Sequence, residues 1–312
     1  MPAIIAHHLF GEEAYASLAP LVGETAESRN AFLLGNQGPD PLFCLKALPS
    51  SANYRAVGTA MHAERPGALL ATFHRHFVER ADGSLPLKAY ACGFLCHYLL
   101  DSIAHPLVYA QQFAVCNEGI TGLAPARSGR EVHALIETDL DEYLLMQKRG
   151  ETVGTFVPHR ETLRCSADAL CAVSAAMAPV AQAVYGLDLP SRAFEASVRM
   201  YRAAQTALDS KRDGLRRRID YAHMLTGAAY LHVQALTHTG VPRDTAFANN
   251  DRVPWPHPFT PGETVSASFD ELYEDALFQA RDLVPRFAQL GFTAAQCEAL
   301  ASGVNFYGQS AQ

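Results

Sequence analysis

Apolar residues recur at steps of three and four along most of the chain, and alternation with a period of two is negligible. That pattern predicts helices almost throughout. The first spans residues 2–21 and opens with a proline where a helix tolerates one. A second, Ala26–Gly35, stops at the turn Gly35-Asn36-Gln37-Gly38-Pro39-Asp40-Pro41. A third covers 67–80. Residues 85–102 are apolar nearly all round, which marks a central helix rather than a peripheral one. The next, 128–148, starts with Ser128 and Glu131 at capping-box spacing. After a break over 150–159, helices are expected at 161–185, 191–208 and 211–237. Residues 240–268 read as a long proline-rich loop, of the kind that serves as a lid or linker. Helices at 269–290 and 293–302 close the chain.

The expected fold class is therefore all-α, a multi-helix bundle. Residues 1–150 form its core, and 151–312 a helical extension packed on that core within one structural domain.

Ionisable residues interrupt the apolar pattern at helical spacing. His97, Asp101 and His105 fall at steps of four in the central helix, and His133 and Glu137 repeat the step further on. Side chains four apart share one helix face. Inside apolar surroundings such groups are costly unless they are paired or ligate something. Imidazole and carboxylate together suit zinc and similar divalent ions. Asp40 stands on the rigid glycine-proline turn, His62 in a loop before the third helix, and His7 in the apolar first helix. Taken singly, His7 and His62 read equally well as hydrogen-bonded structural histidines. His8 competes with His7, but neighbours on a helix point about 100° apart. His7 is favoured because Ile4, Gly11 and Ala14 share its side. Pro106, directly after His105, predicts that the central helix breaks there.

Cys92 and Cys96 share a helix face and read either as soft ligands or as buried small apolar residues. His74 and His76, with Arg75 and Arg80, read as a solvated face. Asp139, Asp141 and Glu142 read as solvent-facing or supporting, with Asp141 the one placed to steady His133 or a ligand. Phe43, Tyr54, Tyr109 and Trp255 are aromatic candidates for a substrate cradle, Trp255 equally as a pin for its loop. The basic run Lys211-Arg212 and Arg216-Arg217-Arg218 reads as a solvated face or as contact with anionic headgroups, a peripheral membrane contact.

The formal net charge of -7 argues against a broad grip on nucleic acid. Seven cysteines without a Cys-x-x-Cys pair imply no disulfide framework. The start of the chain lacks signal-peptide features, and no stretch is expected to reach the roughly 18 apolar residues of a membrane span. A cytoplasmic location is expected.

The ordered set His7, Asp40, His62, His97-x-x-x-Asp101, His105 and His133-x-x-x-Glu137 resembles the zinc-dependent phospholipase C family, in its bacterial, phospholipase C-like branch. The likeness covers residues 1–148 by motif and, more loosely, the chain to about residue 290. It implies an all-helical fold shared with zinc-dependent single-strand nucleases, Zn2+ bound as two or three ions, and hydrolysis of a phospholipid or related phosphoester. By the same resemblance Asp40, His62, His97 and Asp101 hold one ion, and His105, His133 and Glu137 a second. Asp101 also reaches a third ion near His7, and Asp40 orients or deprotonates the attacking water. Two features depart from the family. Its secreted members begin with a Trp that binds the third metal, whereas this chain begins Met1-Pro2 and has only Trp255. The gap from Asp101 to His105 is also shorter than theirs. A nuclease on the same fold and a metal-stabilised helical binding protein without turnover are the competing readings.

Overall fold

The computed structural model describes residues 4–47, 52–80, 83–118, 129–207 and 245–311. Helix α1 (Ile4–Val22) begins under a carboxylate from far along the chain. Asp141 accepts hydrogen bonds from the Ile5 and Ala6 amides at 3.1 and 2.7 Å. Those amides have no partner within the helix, and a carboxylate there also suits the positive end of the helix dipole. Asp141 thus steadies the helix that carries His7, one of the candidate ligands.

Helix α2 (Ala26–Gly35) is capped by Thr25, whose side chain accepts from the Ser28 amide. The turn after it leads into a 3₁₀ segment, Asp40–Ala47, and then α3 (Ala52–Ala63). His62 therefore stands in the last turn of a helix and not in a loop. Val57 and Met61 are buried one turn apart beside Ala60, and that apolar stripe holds α3 in place. Helix α4 (Pro66–Phe73) widens into a π-helical turn, His74–Glu79. His74 is buried and bonds the Gln289 carbonyl at 2.9 Å, so the expected solvated face is corrected there. Only Arg75, Glu79 and Arg80 of that turn are exposed.

Helix α5 (Leu85–Glu118) is the axis of the fold. Its backbone touches that of α2. A β-carbon on Gly93 would fall 2.0 Å from the Phe32 carbonyl oxygen, so no other residue fits at this crossing. Contrary to expectation α5 does not break at Pro106. Leu107, Val108 and Ala110 continue its buried face. Burial of that surface offsets the roughly 3 kcal/mol that an internal proline costs. His105 consequently sits inside a continuous helix.

Helix α6 (Gly129–Arg149) lies against α1 and α5. The capping position Ser128 and the helix expected over 211–237, with its basic run, lie outside the described residues. A short α7 (Pro158–Glu161) precedes α8 (Ala167–Tyr185), which starts later than the pattern suggested because Ser166 caps it. By length and composition α8 would pass for a membrane span, which corrects the expectation that no stretch would. Its apolar residues are one-sided, however. Leu170, Val173, Met177, Val180 and Val184 are buried, while Asp168 and Gln182 are exposed.

After α9 (Ala193–Ala207), the described part of the expected loop holds a small antiparallel ladder, β1 (Trp255–Pro256) with β2 (Thr264–Val265). Helices α10 (Phe269–Phe287) and α11 (Ala294–Ala301) both begin with complete capping boxes, Ser268 with Glu271 and Thr293 with Gln296. Helix α10 packs on α5 and α1, and α11 on α4. The protein is all-α, with strand confined to that one ladder among the described residues.

Candidate metal centre

Eight side chains from five segments converge where α1, α3, α5 and α6 meet. Three groups have ligand atoms within 4.8 Å of one another: His7 with His97 and Asp101, Asp40 with His62 and His97, and His105 with His133 and Glu137. Asp101 links them. Its Oδ1 lies 3.1 Å from His7 Nε2 and 3.6 Å from His105 Nδ1, and its Oδ2 lies 3.2 Å from His97 Nε2. Asp40 Oδ1 lies 3.0 Å from His62 Nε2. Glu137 Oε1 receives both His133 Nε2 at 3.3 Å and His105 Nε2 at 3.4 Å.

Four of the imidazoles are held in the same manner. His62 Nδ1 donates to the Gly58 carbonyl at 2.7 Å, His97 Nδ1 to the Asn36 carbonyl at 3.1 Å, and His105 Nδ1 to the Phe306 carbonyl at 2.7 Å. His133 Nδ1 faces the Gln112 side-chain oxygen at 3.0 Å. A carbonyl oxygen only accepts, so Nδ1 carries a proton, and Nε2 turns toward the carboxylates, where it carries a second proton or is free to bind a cation. This is how metal-ligating histidines are oriented. His97 Nε2 is the sharpest case: it is buried and has no hydrogen-bond partner although Asp101 is adjacent. A lone pair facing a carboxylate is unfavourable unless a proton or a metal cation lies between them, and Asp101 pushes the His97 imidazole up against its burial. On the other side of Asp101, a cavity of about 30 Å³ lined by His7, Asp101, His105 and Glu137 leaves room for an ion or a water. All-nitrogen and oxygen donors of this kind suit zinc.

The turn before Asp40 explains why His97 is held so closely. Gly38 has φ +51°, and a β-carbon on it would fall 2.1 Å from the His97 ring. Only glycine lets the backbone adopt that conformation against the imidazole.

The electrostatics follow from burial and pairing. Burial opposes ionisation of Asp101, but His97, His105 and His7 outweigh it and hold the carboxyl well below the usual range. Glu137 is held low in the same way, against burial, by cationic partners that include His133 and His105. Asp40 is drawn down to about 2, again against burial, with the His62 hydrogen bond contributing. His105 is pushed up to about 9, because Asp101 and Glu137 overcome its burial. His7 is lowered by burial and by the neighbouring His97.

His8 points away from the cluster. It sits against Phe156, with Nε2 at 3.7 Å from Glu12, and burial followed by Arg149 and Arg29 draws it down to about 3. Of the aromatic candidates, Phe43 packs on His62 at 5.1 Å and Tyr109 on His133 at 4.8 Å between ring centroids. Tyr54 packs on the core and makes no ring contact with the cluster among the described residues. Trp255 is buried, donates to the Ala267 carbonyl at 3.1 Å and pins its loop. It also lines a groove of about 360 Å³ with His257, Phe259 and the chain near Val304 and Gly308. Cys92 and Cys96 are buried thiols, both pushed up by burial, Cys92 to about 12, and they join none of the ligand groups.

Sequence reasoning missed the far end of the chain. Phe306 accepts from His105, its amide donates to the His62 carbonyl at 3.1 Å, and its ring packs on His62 and His97. Tyr307 stacks on His62 at 5.8 Å. Nothing in the local pattern marks these residues, because they act by long-range packing.

A helical core with paired imidazole–carboxylate groups defines an all-α protein with a candidate metal centre. The family model for zinc-dependent phospholipase C matches residues 6–176, just over half of the chain, and the protein belongs to that family. No curated protein and no solved structure matches it.

Proposed function

We propose that the protein hydrolyses the phosphodiester bond of a phospholipid or related lipid phosphoester, with Zn2+ as cofactor. Family membership supports a metal-dependent phospholipid hydrolase, and the inward-facing Nε2 atoms carry the residue assignments. Asp40, His62, His97 and Asp101 would hold one ion, and His105, His133 and Glu137 a second. His7, His97 and Asp101 would make a third position. Zinc supplies, when bound, a water ionisable near neutral pH and positive charge for the phosphoryl oxygens.

The chain's own groups do the rest. Asp40 is held ionised and is fixed by His62, so it would orient the attacking water. The Nδ1 contacts hold each imidazole in one tautomer and one direction, which limits the reorganisation needed when charge develops. Phe43 and Tyr109 flank the two ends of the cluster and offer apolar walls to the substrate. The net charge of -7 disfavours a polyanionic nucleic acid.

The test is phosphocholine release from phosphatidylcholine in mixed micelles by zinc-loaded protein, with single-stranded DNA run in parallel. Release is expected to stop on chelation and to disappear in Asp40→Asn and His97→Ala. Unchanged rates in both variants would overturn the assignment. Release of nucleotides alone would favour a nuclease, and zinc saturation without turnover of either substrate a binding protein.

A further inference from the structure

Tyr307 lies outside the residues that match the family, yet it spans the two ends of the cluster. Its ring is stacked on His62, tilted by 19°, and stands nearly edge-on to His105 and Tyr109 at 6.0 Å each. It therefore bridges the group built on Asp40 and the group built on Glu137. The segment that carries it is tied down at several points. Tyr98 donates to the Ala301 and Val304 carbonyls at 3.1 and 2.8 Å, Asn305 donates to the Ala63 carbonyl at 3.0 Å, and Gly308 abuts Pro106. Asn305 Oδ1 accepts from the Tyr307 and Gln309 amides at 3.0 Å each.

The amide of Tyr307 is thus satisfied, while its hydroxyl has no hydrogen-bond partner among the described residues. Phenylalanine would meet every packing demand seen here. The ring is only half-buried, and it stands between the group built on Asp40 and the group built on Glu137. A phenol with no partner for its hydroxyl among the described residues thus stands between the two ends of the cluster.

We propose that Tyr307 contacts the substrate: its hydroxyl donates a hydrogen bond to a non-bridging oxygen of the phosphoryl group, while stacking on His62 fixes its direction. This rests on the hydrolase reading above. It makes the last residues of the chain part of the active site.

The test compares zinc-loaded wild type with Tyr307→Phe and Tyr307→Leu. Three quantities are measured: zinc content, binding of inorganic phosphate by calorimetry, and phosphocholine release. Tyr307→Phe keeps the stack, so its zinc content is expected to equal that of wild type. Phosphate binding and kcat/KM are expected to fall roughly 10–100-fold, the loss typical of a hydrogen bond to a charged group. Tyr307→Leu is expected to lose phosphate binding and part of its zinc. Wild-type phosphate affinity and turnover in Tyr307→Phe would overturn the proposal alone. Loss of zinc from Tyr307→Phe would also overturn it, making the residue a support for His62. A zinc-saturated wild type that binds no phosphate and releases no phosphocholine would overturn the hydrolase reading, and this proposal with it.

Discussion

His105 Nδ1 lies 2.7 Å from the carbonyl oxygen of Phe306, a residue 201 positions further along the chain. The contact keeps a proton on Nδ1 when the ring is neutral, and so leaves Nε2 to face Glu137. Removing residues 304–312 deletes that acceptor, together with the Phe306 amide that bonds the His62 carbonyl. Loss of such a supporting contact typically costs 10–100-fold in metal affinity. We expect the truncated chain to keep its helical circular dichroism and to bind zinc about that much more weakly in competition with a chelating dye. Equal affinity would mean that the carbonyl merely fills space.

Asp101 and Glu137 differ in reach, and the difference is measurable. Glu137 serves His105 and His133, whereas Asp101 touches His7, His97 and His105. Glu137→Gln is therefore expected to lower zinc content by one ion per chain and to leave the Asp40 group loaded. Asp101→Asn is expected to lower it by more than one. Hydrolysis in Asp101→Asn should fall about 10³-fold or more, since charge stabilisation by bound metal is worth several kcal/mol and each 1.36 kcal/mol is tenfold in rate. Elemental analysis of the two purified variants decides the matter, and identical stoichiometries would refute the linking role of Asp101.

Zinc loading should depend on pH in a definite direction. The folded apo-protein holds His105 at about 9, above its ordinary 6.5. The imidazolium therefore stabilises the apo-fold fully below about pH 6.5, and that contribution is lost as pH rises through about 9. Zinc needs the neutral imidazole, so binding displaces a proton. Affinity is expected to climb about tenfold per pH unit below 9 for that one proton and to flatten above it. Proton release measured by calorimetry in buffers of different ionisation enthalpy checks the count. His8, drawn down to about 3, stays neutral throughout and contributes no slope.

The helical pattern made most of the fold legible. Apolar steps of three and four located α1, α2, α9, α10 and α11 to within a few residues. The pairs at steps of four, His97–Asp101 and His133–Glu137, were legible for the same reason, since one helix face places them. What misled was local chemistry that tertiary packing overrides. Pro106 signals a break, yet the buried Leu107 and Val108 keep α5 intact. His62 looked like a loop residue because α3 is short and follows a proline-rich turn. The supporting acceptors at Gly58, Asn36 and Phe306 are backbone atoms, and no side-chain pattern reveals them. Asp141 stands one turn beyond Glu137, but its partners are amides 135 and 136 residues away.

Gly38 offers the most selective test of the geometry, because it touches the site without offering a ligand. Its φ of +51° is one that residues with a β-carbon seldom adopt, and the added carbon would fall 2.1 Å from the His97 Cδ2 and 2.4 Å from Nε2. Something must move, and His97 is the softer partner, since the turn is tied on both sides. The Gln37 side chain donates to the Ile4 carbonyl at 3.1 Å, and the Gly38 amide to the Gly35 carbonyl at 2.8 Å. Gly38→Ala is therefore expected to rotate the imidazole off the Asn36 carbonyl, to cost about 1–3 kcal/mol of stability, and to weaken zinc binding at the groups that share His97. Thermal unfolding with and without zinc separates the two effects. Zinc should raise the midpoint of the variant by clearly less than that of wild type, since stabilisation by a ligand scales with its affinity. An equal rise in both proteins would show that His97 tolerates the displacement, and that its tight seat against the turn is not what directs Nε2 into the cluster.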